Sequence, residues 1–261
     1  MIKLIDTHSH LYSKKFQPDL DEVIGRAKEV LSAIYLPNID MESVNPMHAL
    51  TEKDPDFFFP MMGLHPCSVN LEFEKVLAKM EGLLNQHTYY GIGETGIDLY
   101  WDKTYFEQQK EALQIQIQWA KAHRLPLILH CRNSMDHVIE QISANHDEHL
   151  FGIFHCFDGS LDQARQITEL ETFKLGIGGI VTYRKEVQEM IGQVDLQHIV
   201  LETDSPYLPP APHRKDKPRR NESSYTKYIA AKLAELHASS YEEVAKITNE
   251  NALSLLQFCD T

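Results

Sequence analysis

Eight short apolar runs punctuate the chain, at residues 2–5, 33–36, 57–62, 89–92, 125–129, 151–154, 173–177 and 199–201. They are rich in β-branched and aromatic residues and continuous rather than alternating, the pattern of strands buried on both faces by covering helices. Between them the period changes to 3.6 residues. Residues 104–123 place Phe106, Leu113, Ile117, Trp119 and Ala120 near one helical stripe, behind a Thr104-x-x-Glu107 capping-box pattern. Further helices are predicted over 20–31, 72–85, 136–145, 161–169 and 185–194. Such alternation builds right-handed βαβ units on a parallel sheet. Eight repeats within 261 residues predict an α/β fold of the closed TIM (β/α)8 barrel type, one domain over residues 1–261. A doubly wound open sheet is the structural alternative.

After the eighth run, Pro206, Pro209, Pro210, Pro212 and Pro218 exclude a regular helix or central strand, so a long, stiffened loop is expected. Helices at 224–236, 241–247 and 249–258 then cover the barrel and end it.

Composition narrows the class. With 43% hydrophobic and 24% charged residues the chain is globular in character. Its 25 Lys and Arg against 38 Asp and Glu give a net charge of −13, which repels polyanions on average and excludes a protein that coats duplexes. No apolar stretch is long enough to span a membrane, and the start lacks the basic and then apolar segments of a secretory signal, so a cytoplasmic protein is expected. Cys67, Cys131, Cys156 and Cys259 are widely spaced, and free thiols are expected.

The polar residues that follow these runs are not those a core needs: Asp6-Thr-His8-Ser-His10, His65, Glu94 and Asp98, His130, His155, and Glu202-Thr-Asp204. In a (β/α)8 barrel the C-terminal strand ends converge on one mouth, where such enzymes keep their active sites. His8 and His10, two apart on an extended strand, share a face and can bind one ion, although alone they read equally well as a surface turn. Imidazole with carboxylate suits zinc, and oxygen ligands add manganese and magnesium. Cys131 and Cys156 are expected by strand alternation to point away, into the layer between barrel and helices. No GxSxG elbow, Walker A or GxGxxG motif competes with a metal site.

Asp6-Thr-His-Ser-His10, Gly63-Leu-His-Pro66, Gly91-Ile-Gly-Glu-Thr-Gly-Ile-Asp98, His130, His155 with Cys156-Phe-Asp-Gly159, Gly179-Ile-Val-Thr-Tyr183 and Leu201-Glu-Thr-Asp-Ser-Pro-Tyr-Leu208 occur in order. Together they resemble the successive signatures of the TatD-type metal-dependent deoxyribonucleases. The resemblance implies an amidohydrolase-like TIM barrel that hydrolyses phosphodiester bonds, usually of DNA. It also implies that His8, His10, Glu94 and Asp204 hold one divalent ion and that Glu94, His130 and His155 hold a second, with Glu94 bridging. Asp204 is then the candidate ligand and base, Glu94 its catalytic partner, and Mg²⁺, Mn²⁺ or Zn²⁺ the cofactor.

Glu202 is expected to orient a ligand histidine, with a solvent-facing charge as the alternative, and Asp6 to do the same or to cap a turn. His65 is expected to contact substrate phosphate, Arg132 to offer a forked phosphate donor or a rim salt bridge, and Asp98 to lie near substrate. Residues 213–220 hold five basic residues and one acid, a local charge of +4. This loop, with Tyr207, Arg214, Arg219 and Arg220, is expected to meet nucleic acid, and Tyr207, Tyr183 and Phe157 to stack unpaired bases. The TatD family's corresponding loop usually reads His-Arg-Gly and ends Arg-Asn-Glu-Pro, whereas here it reads His213-Arg214-Lys215 and ends Arg220-Asn-Glu-Ser223.

The sequence therefore points to a monomeric exonuclease on single-stranded or frayed DNA ends, with RNA as a further substrate. The enzyme rival is an amidohydrolase-like hydrolase of another ester or amide, such as a D-aminoacyl-tRNA deacylase. A binding or scaffold protein with a structural metal is the non-enzymatic alternative.

Overall fold

The computed structural model describes residues 2–217 and 219–257. Through them the chain runs β1 (Leu4–Asp6), α1 (Leu20–Val30), β2 (Leu31–Pro37), α2 (Met41–Lys53), β3 (Phe58–Met61), α3 (Phe73–Leu84), β4 (Ile92–Asp98) and α4 (Phe106–His123). It continues with β5 (Leu127–Arg132), α5 (Met135–Asn145), β6 (Gly152–Phe154), α6 (Leu161–Thr168), β7 (Phe173–Ile177), α7 (Lys185–Ile191), β8 (Ile199–Leu201), α8 (Thr226–Leu236) and α9 (Tyr241–Gln257).

Strand pairing is parallel in two ladders, β1-β2-β3 and β4 through β8 in order. Two seams join them. The Met62 N–H donates to the Gly91 carbonyl (3.0 Å) and the Gly93 N–H to that of Met62 (2.9 Å), which links β3 to β4. The Thr7 N–H donates to the Leu201 carbonyl (3.0 Å) and the Asp204 N–H to that of His8 (2.9 Å), which links β8 to β1. The result is a (β/α)8 barrel.

The core has two parts because a doubly covered strand buries both faces. Outward residues such as Leu4, Ile34, Leu36, Phe58, Leu129, Phe154 and Leu201 meet the helices. A second cluster, Ile5, Ala33, Tyr35, Met61, Ile128, Ile153 and Val200, comes from alternate strand positions and packs with Ala252 and Leu255 of α9, which plugs that end of the barrel. Two residues beyond Ile128, Ile153 and Val200 stand His130 near the end of β5, His155 just after β6 and Glu202 just after β8. The apolar plug is thus the floor of a polar site.

Four expectations about elements are corrected. Residues 41–53 form α2, which the spacing did not predict; Pro46 removes one helical hydrogen bond. The helix stands on an Asp40–Ser43 capping box and on burial of Val44, Met47 and Leu50. β4 lies at Ile92–Asp98 rather than 89–92, so Glu94 and Asp98 are inside a fully buried strand and not after it. Gly96 permits this: its φ is +134° and a side chain there would strike the His130 backbone. The Thr104 capping box does not form; α4 starts at Phe106 without a side-chain cap, and the Thr104 N–H donates to Asp102 instead (2.8 Å). Finally, α9 runs unbroken over Tyr241–Gln257, while Phe258 and Cys259 lie outside the described residues. No helix among the described residues is long and apolar enough to cross a membrane.

Candidate metal centre

Glu94 stands at the centre of the mouth, with five imidazoles around one buried carboxylate. Its Oε2 lies 3.3 Å from Nε2 of both His8 and His10. Its Oε1 lies 2.9 Å from Nδ1 of His130, 3.3 Å from Nε2 of His65 and 3.6 Å from Nε2 of His155. Asp204 Oδ1 completes the first group, 3.5 Å from His10 Nε2. Burial alone pushes the Glu94 carboxyl up, but His65, His8, His155 and His10 outweigh it and hold the group well below the usual carboxylate range.

The donor set passes a simple test of fit to a cation. His8 Nε2 and His10 Nε2 are 3.2 Å apart. With Glu94 Oε2 they form a triangle of nearly equal edges. Ligands bound tetrahedrally at about 2.0–2.1 Å stand roughly 3.3 Å from one another. Lone pairs crowded at this spacing away from water are stabilised by a shared positive charge.

Neighbouring hydrogen bonds set which ring nitrogen faces inward. The Tyr12 hydroxyl donates to the Pro37 carbonyl (2.5 Å), so it accepts from His10 Nδ1 (2.8 Å) and leaves the Nε2 lone pair facing Glu94. Glu202 Oε1 accepts the Cys156 N–H (2.7 Å) and lies 3.0 Å from His155 Nδ1 as an ionic contact, while His155 Nε2 faces Glu94. Burial opposes a charge on His155, but Glu202 and Glu94 raise it to about 9. His65 is arranged oppositely: its Nδ1 accepts the Cys67 N–H (3.1 Å), so Nε2 carries the proton toward Glu94. Burial keeps that ring neutral despite Glu94, which makes it a hydrogen-bond donor at the mouth. His130 is held on both sides, Nδ1 by Glu94 and Nε2 by Asp98 (both 2.9 Å).

Asp204 ends the β8 side of the site. Its φ of +55° is a left-handed conformation that Asp tolerates better than most residues, and the turn carries its carboxylate back toward His10. Burial raises its carboxyl, but His10, His155 and His8 outweigh this and lower it. Asp6 is buried behind the site, accepting from the Thr203 N–H (2.9 Å) and hydroxyl (2.7 Å), and so it ties β1 to the turn before Asp204. Burial, only partly offset by these bonds, lifts its pKa to about 7.

The structure brings together His8, His10, Glu94, His130, His155, Asp204, Glu202, His65 and Asp98. Donor atoms of His8, His10 and Asp204 fall within 4.8 Å of one another, as do those of His65, Glu94 and His130. Three expectations fail. Cys156 does not point away: its φ of +48° breaks the strand alternation, and its sulfur lies within the same 4.8 Å limit of His155 and Asp204. Its thiol is nevertheless held protonated, by burial first and then by Glu202 and Asp204. Phe157 is buried in the core and offers no stacking face. Arg220 forks onto Asp19 (2.7 Å to each oxygen) and also reaches Glu222 (3.2 Å), so it anchors the loop rather than offering free donors to phosphate. Arg214 and Arg219 are exposed, Arg214 stacked 3.6 Å from the centre of the Tyr183 ring, and Tyr207 is exposed with Lys15 over it at 4.5 Å. Pro218 lies outside the described residues.

Sequence reasoning missed Tyr12, whose hydroxyl fixes His10. It also missed Gln116 and Gln109 of α4, which satisfy the outer face of β4 through Thr95 Oγ1 (2.6 Å) and the Asp98 N–H (2.8 Å). The tyrosine's position two residues after His10 was the available signal.

A family model described as TatD related DNase matches residues 5–257. An uncharacterized metal-dependent hydrolase of Bacillus subtilis, YabD, is 37% identical over 257 residues, 97% of this chain and 99% of that protein. A 3′-5′ ssDNA/RNA exonuclease TatD of Pectobacterium parmentieri is 26% identical, covering 95% and 97% of the two chains. The crystal structure of YjjV, a TatD homolog of Escherichia coli K12, superposes with a TM-score of 0.89 at 28% identity over 97% of this chain and 98% of that one. A TIM-barrel protein of Bordetella bronchiseptica shares the fold, with a TM-score of 0.63 at 12% identity over 99% and 100%. With its fold, its histidine and carboxylate mouth and these matches, the chain belongs to the TatD family of metal-dependent hydrolases.

Proposed function

We propose that the protein is a two-metal phosphodiesterase, an exonuclease that acts on single-stranded or frayed DNA ends and on RNA. The observation that carries the reading is the split of Glu94, one oxygen against His8 and His10 and the other against His130, His65 and His155. A carboxylate so placed suits two cations at once: His8, His10, Glu94 and Asp204 for one, and Glu94, His130 and His155 for the other. When bound, Mg²⁺, Mn²⁺ or Zn²⁺ would make water more acidic and neutralise charge on the phosphoryl oxygens.

The protein's own residues then do the rest. Asp204, held ionised by His10 and His155 and only partly buried, accepts the proton of the attacking water. Tyr12, Glu202 and Asp98 keep His10, His155 and His130 turned to their tasks. His65 Nε2 directs its proton toward Glu94 at 3.3 Å, and would be a donor for a phosphate oxygen when a cation takes up that carboxylate. Exposed Arg214 and Arg219 attract a strand to this edge of a chain whose net charge is −13. The relative named as an ssDNA/RNA exonuclease supports the substrate class.

The test is cleavage of 3′- and 5′-labelled single strands of DNA and RNA by metal-free protein reloaded with each ion, beside a D-aminoacyl-tRNA. Strand shortening from one end is expected. Deacylation without strand cleavage would overturn the reading in favour of the ester hydrolase.

A further inference from the structure

We propose that Tyr100 and Trp101, in the loop after β4, form a stacking platform for one unpaired base of the strand held at the metal centre. The proposal rests on the nuclease reading and names the part of the substrate that this edge recognises. Asp98 provides the link. Its Oδ2 holds His130 Nε2 at 2.9 Å, while its Oδ1 accepts the backbone N–H groups of Tyr100 (2.9 Å) and Trp101 (3.1 Å). One carboxylate therefore fixes both an imidazole that touches Glu94 and the turn that carries the two rings.

The rings themselves lack a packing role. Tyr100 is 53% and Trp101 69% exposed, at a site where burial of either would be favourable. They stand edge to face, 4.9 Å between centres at 86°. Arg132, two residues beyond His130, lies over both, 3.9 Å from the centre of Tyr100 and 5.1 Å from that of Trp101. The guanidinium thus packs on both rings and stiffens the pair, while most of the Trp101 surface stays open to solvent.

Beside Trp101 is a cavity of about 290 Å³ between the loop after β3 and the loop after β4, with Pro66, Val69, Asn70, Asp98 and Tyr105 among its lining residues. This lies at the lower edge of small-molecule sites, the size class of a single base rather than a longer ligand. The indole, Pro66 and Val69 give the cavity an apolar face, and Asn70, Asp102 and Gln109 a polar wall that suits the edge of a base. Bases in a duplex are already stacked and cannot enter, so the feature selects unpaired ends.

The test is a fluorescence titration of the full chain with Mg²⁺, carrying Asp204→Asn to prevent cleavage. Trp101 and Trp119 are its two tryptophans, and Trp119 is buried, so the exposed one reports the contact. A thymidine oligomer is expected to quench the signal and to bind roughly 5- to 100-fold more tightly than an abasic strand of equal length. For variants that lack this reporter, binding is read from the anisotropy of dye-labelled strands: Trp101→Ala is expected to lose the preference and Trp101→Phe to retain it. Equal binding of the two strands, or a preference that survives Trp101→Ala, overturns the platform. The nuclease reading is judged separately by the labelled-strand assay of the protein with Asp204 intact: cleavage there with no base preference here refutes the platform alone. Quenching by a protein ligand but by no strand refutes it too.

Discussion

Glu202 and His155 are joined at 3.0 Å, carboxylate oxygen to Nδ1, and the same oxygen accepts the Cys156 N–H at 2.7 Å. Glu202 is fully buried, and among the described residues neither its other oxygen nor His155 Nδ1 makes a well-aligned hydrogen bond, so the pair is a close ionic contact. Such a carboxylate is costly unless it serves the imidazole it holds. Glu202→Gln keeps the shape, removes the charged group beside His155, and is expected to weaken metal binding by about 10- to 100-fold, as loss of a group that supports a ligand commonly does. Competition against a chelating dye measures this; an unchanged affinity would show that Glu202 does not tune the site.

The room for that carboxylate comes from β7. A Cβ on Gly176 would collide with Glu202 Oε2, and Gly178 also faces the same side chain. Gly176→Ala forces either β7 or Glu202 to move. The expected cost is about 1–3 kcal/mol, read as a fall in Tm of roughly 2–4 °C per kcal/mol for a domain of this size, together with weaker metal binding. A variant with wild-type Tm and metal affinity would disprove the close approach.

The sequence made the barrel and its histidines legible because strands buried on both faces read as unbroken apolar runs, and the polar residues that end them have no core role. His130, His155 and Glu202 were visible as polar residues at or just past the ends of the apolar runs. β4 was misplaced because Glu94, Thr95 and Asp98 resemble a loop until α4 is known to supply Gln109 and Gln116 as buried partners. α2 was missed because Asn38, Asp40, Ser43 and Pro46 are turn formers, and the same Asp40 and Ser43 turn out to cap a helix. Cys156 was misdirected because alternation ends with β6 at Phe154. Arg220 was read as free because its partner Asp19 is 201 residues away.

Cys67 lies at the surface, yet its thiol is pushed up from 9.0 to about 12, by partial burial first and then by Asp98 and Glu94. Thiols react as thiolates, so a raised pKa slows labelling. At pH 9 far less of Cys67 is ionised than of an unperturbed thiol, of which about half is. In a Cys259→Ser background, disulfide exchange at Cys67 is expected to remain slow at pH 8 and to rise with pH up to about 12. Asp98→Asn, which removes the nearest charge, accelerates it. Rapid labelling at pH 8 would contradict the assigned environment.

Arg219 and Arg220 are neighbours with different expected roles. Arg219 is exposed, and Arg219→Gln is expected to weaken oligonucleotide binding and reduce its salt slope by about one with Tm unchanged. Arg220 is tied to Asp19 and Glu222, and Arg220→Gln is expected to lower stability by on the order of 1 kcal/mol and to expose the loop to protease. Thermal melts with binding at several salt concentrations separate the two. Reversed effects would mean that the loop meets its ligand in another arrangement.

Asp204 is the residue whose replacement distinguishes holding a cation from moving a proton. Its left-handed backbone makes Asn the informative substitution, because Asn adopts a positive φ readily and keeps the turn, whereas Ala would add strain. The N–H that donates to the His8 carbonyl and the carbonyl that accepts from the Tyr207 N–H belong to the backbone and survive the change. His8, His10 and Glu94 still crowd three donor atoms within 3.3 Å of one another. Asp204→Asn is therefore expected to retain bound metal and a wild-type Tm while kcat falls by about 10²- to 10⁴-fold, the range for removal of a general base. The decisive pair of measurements is metal content by mass spectrometry and single-turnover cleavage across pH. Loss of metal in parallel with activity would make Asp204 a ligand alone. Full activity with full metal content would require another proton acceptor and would remove Asp204 from the chemistry.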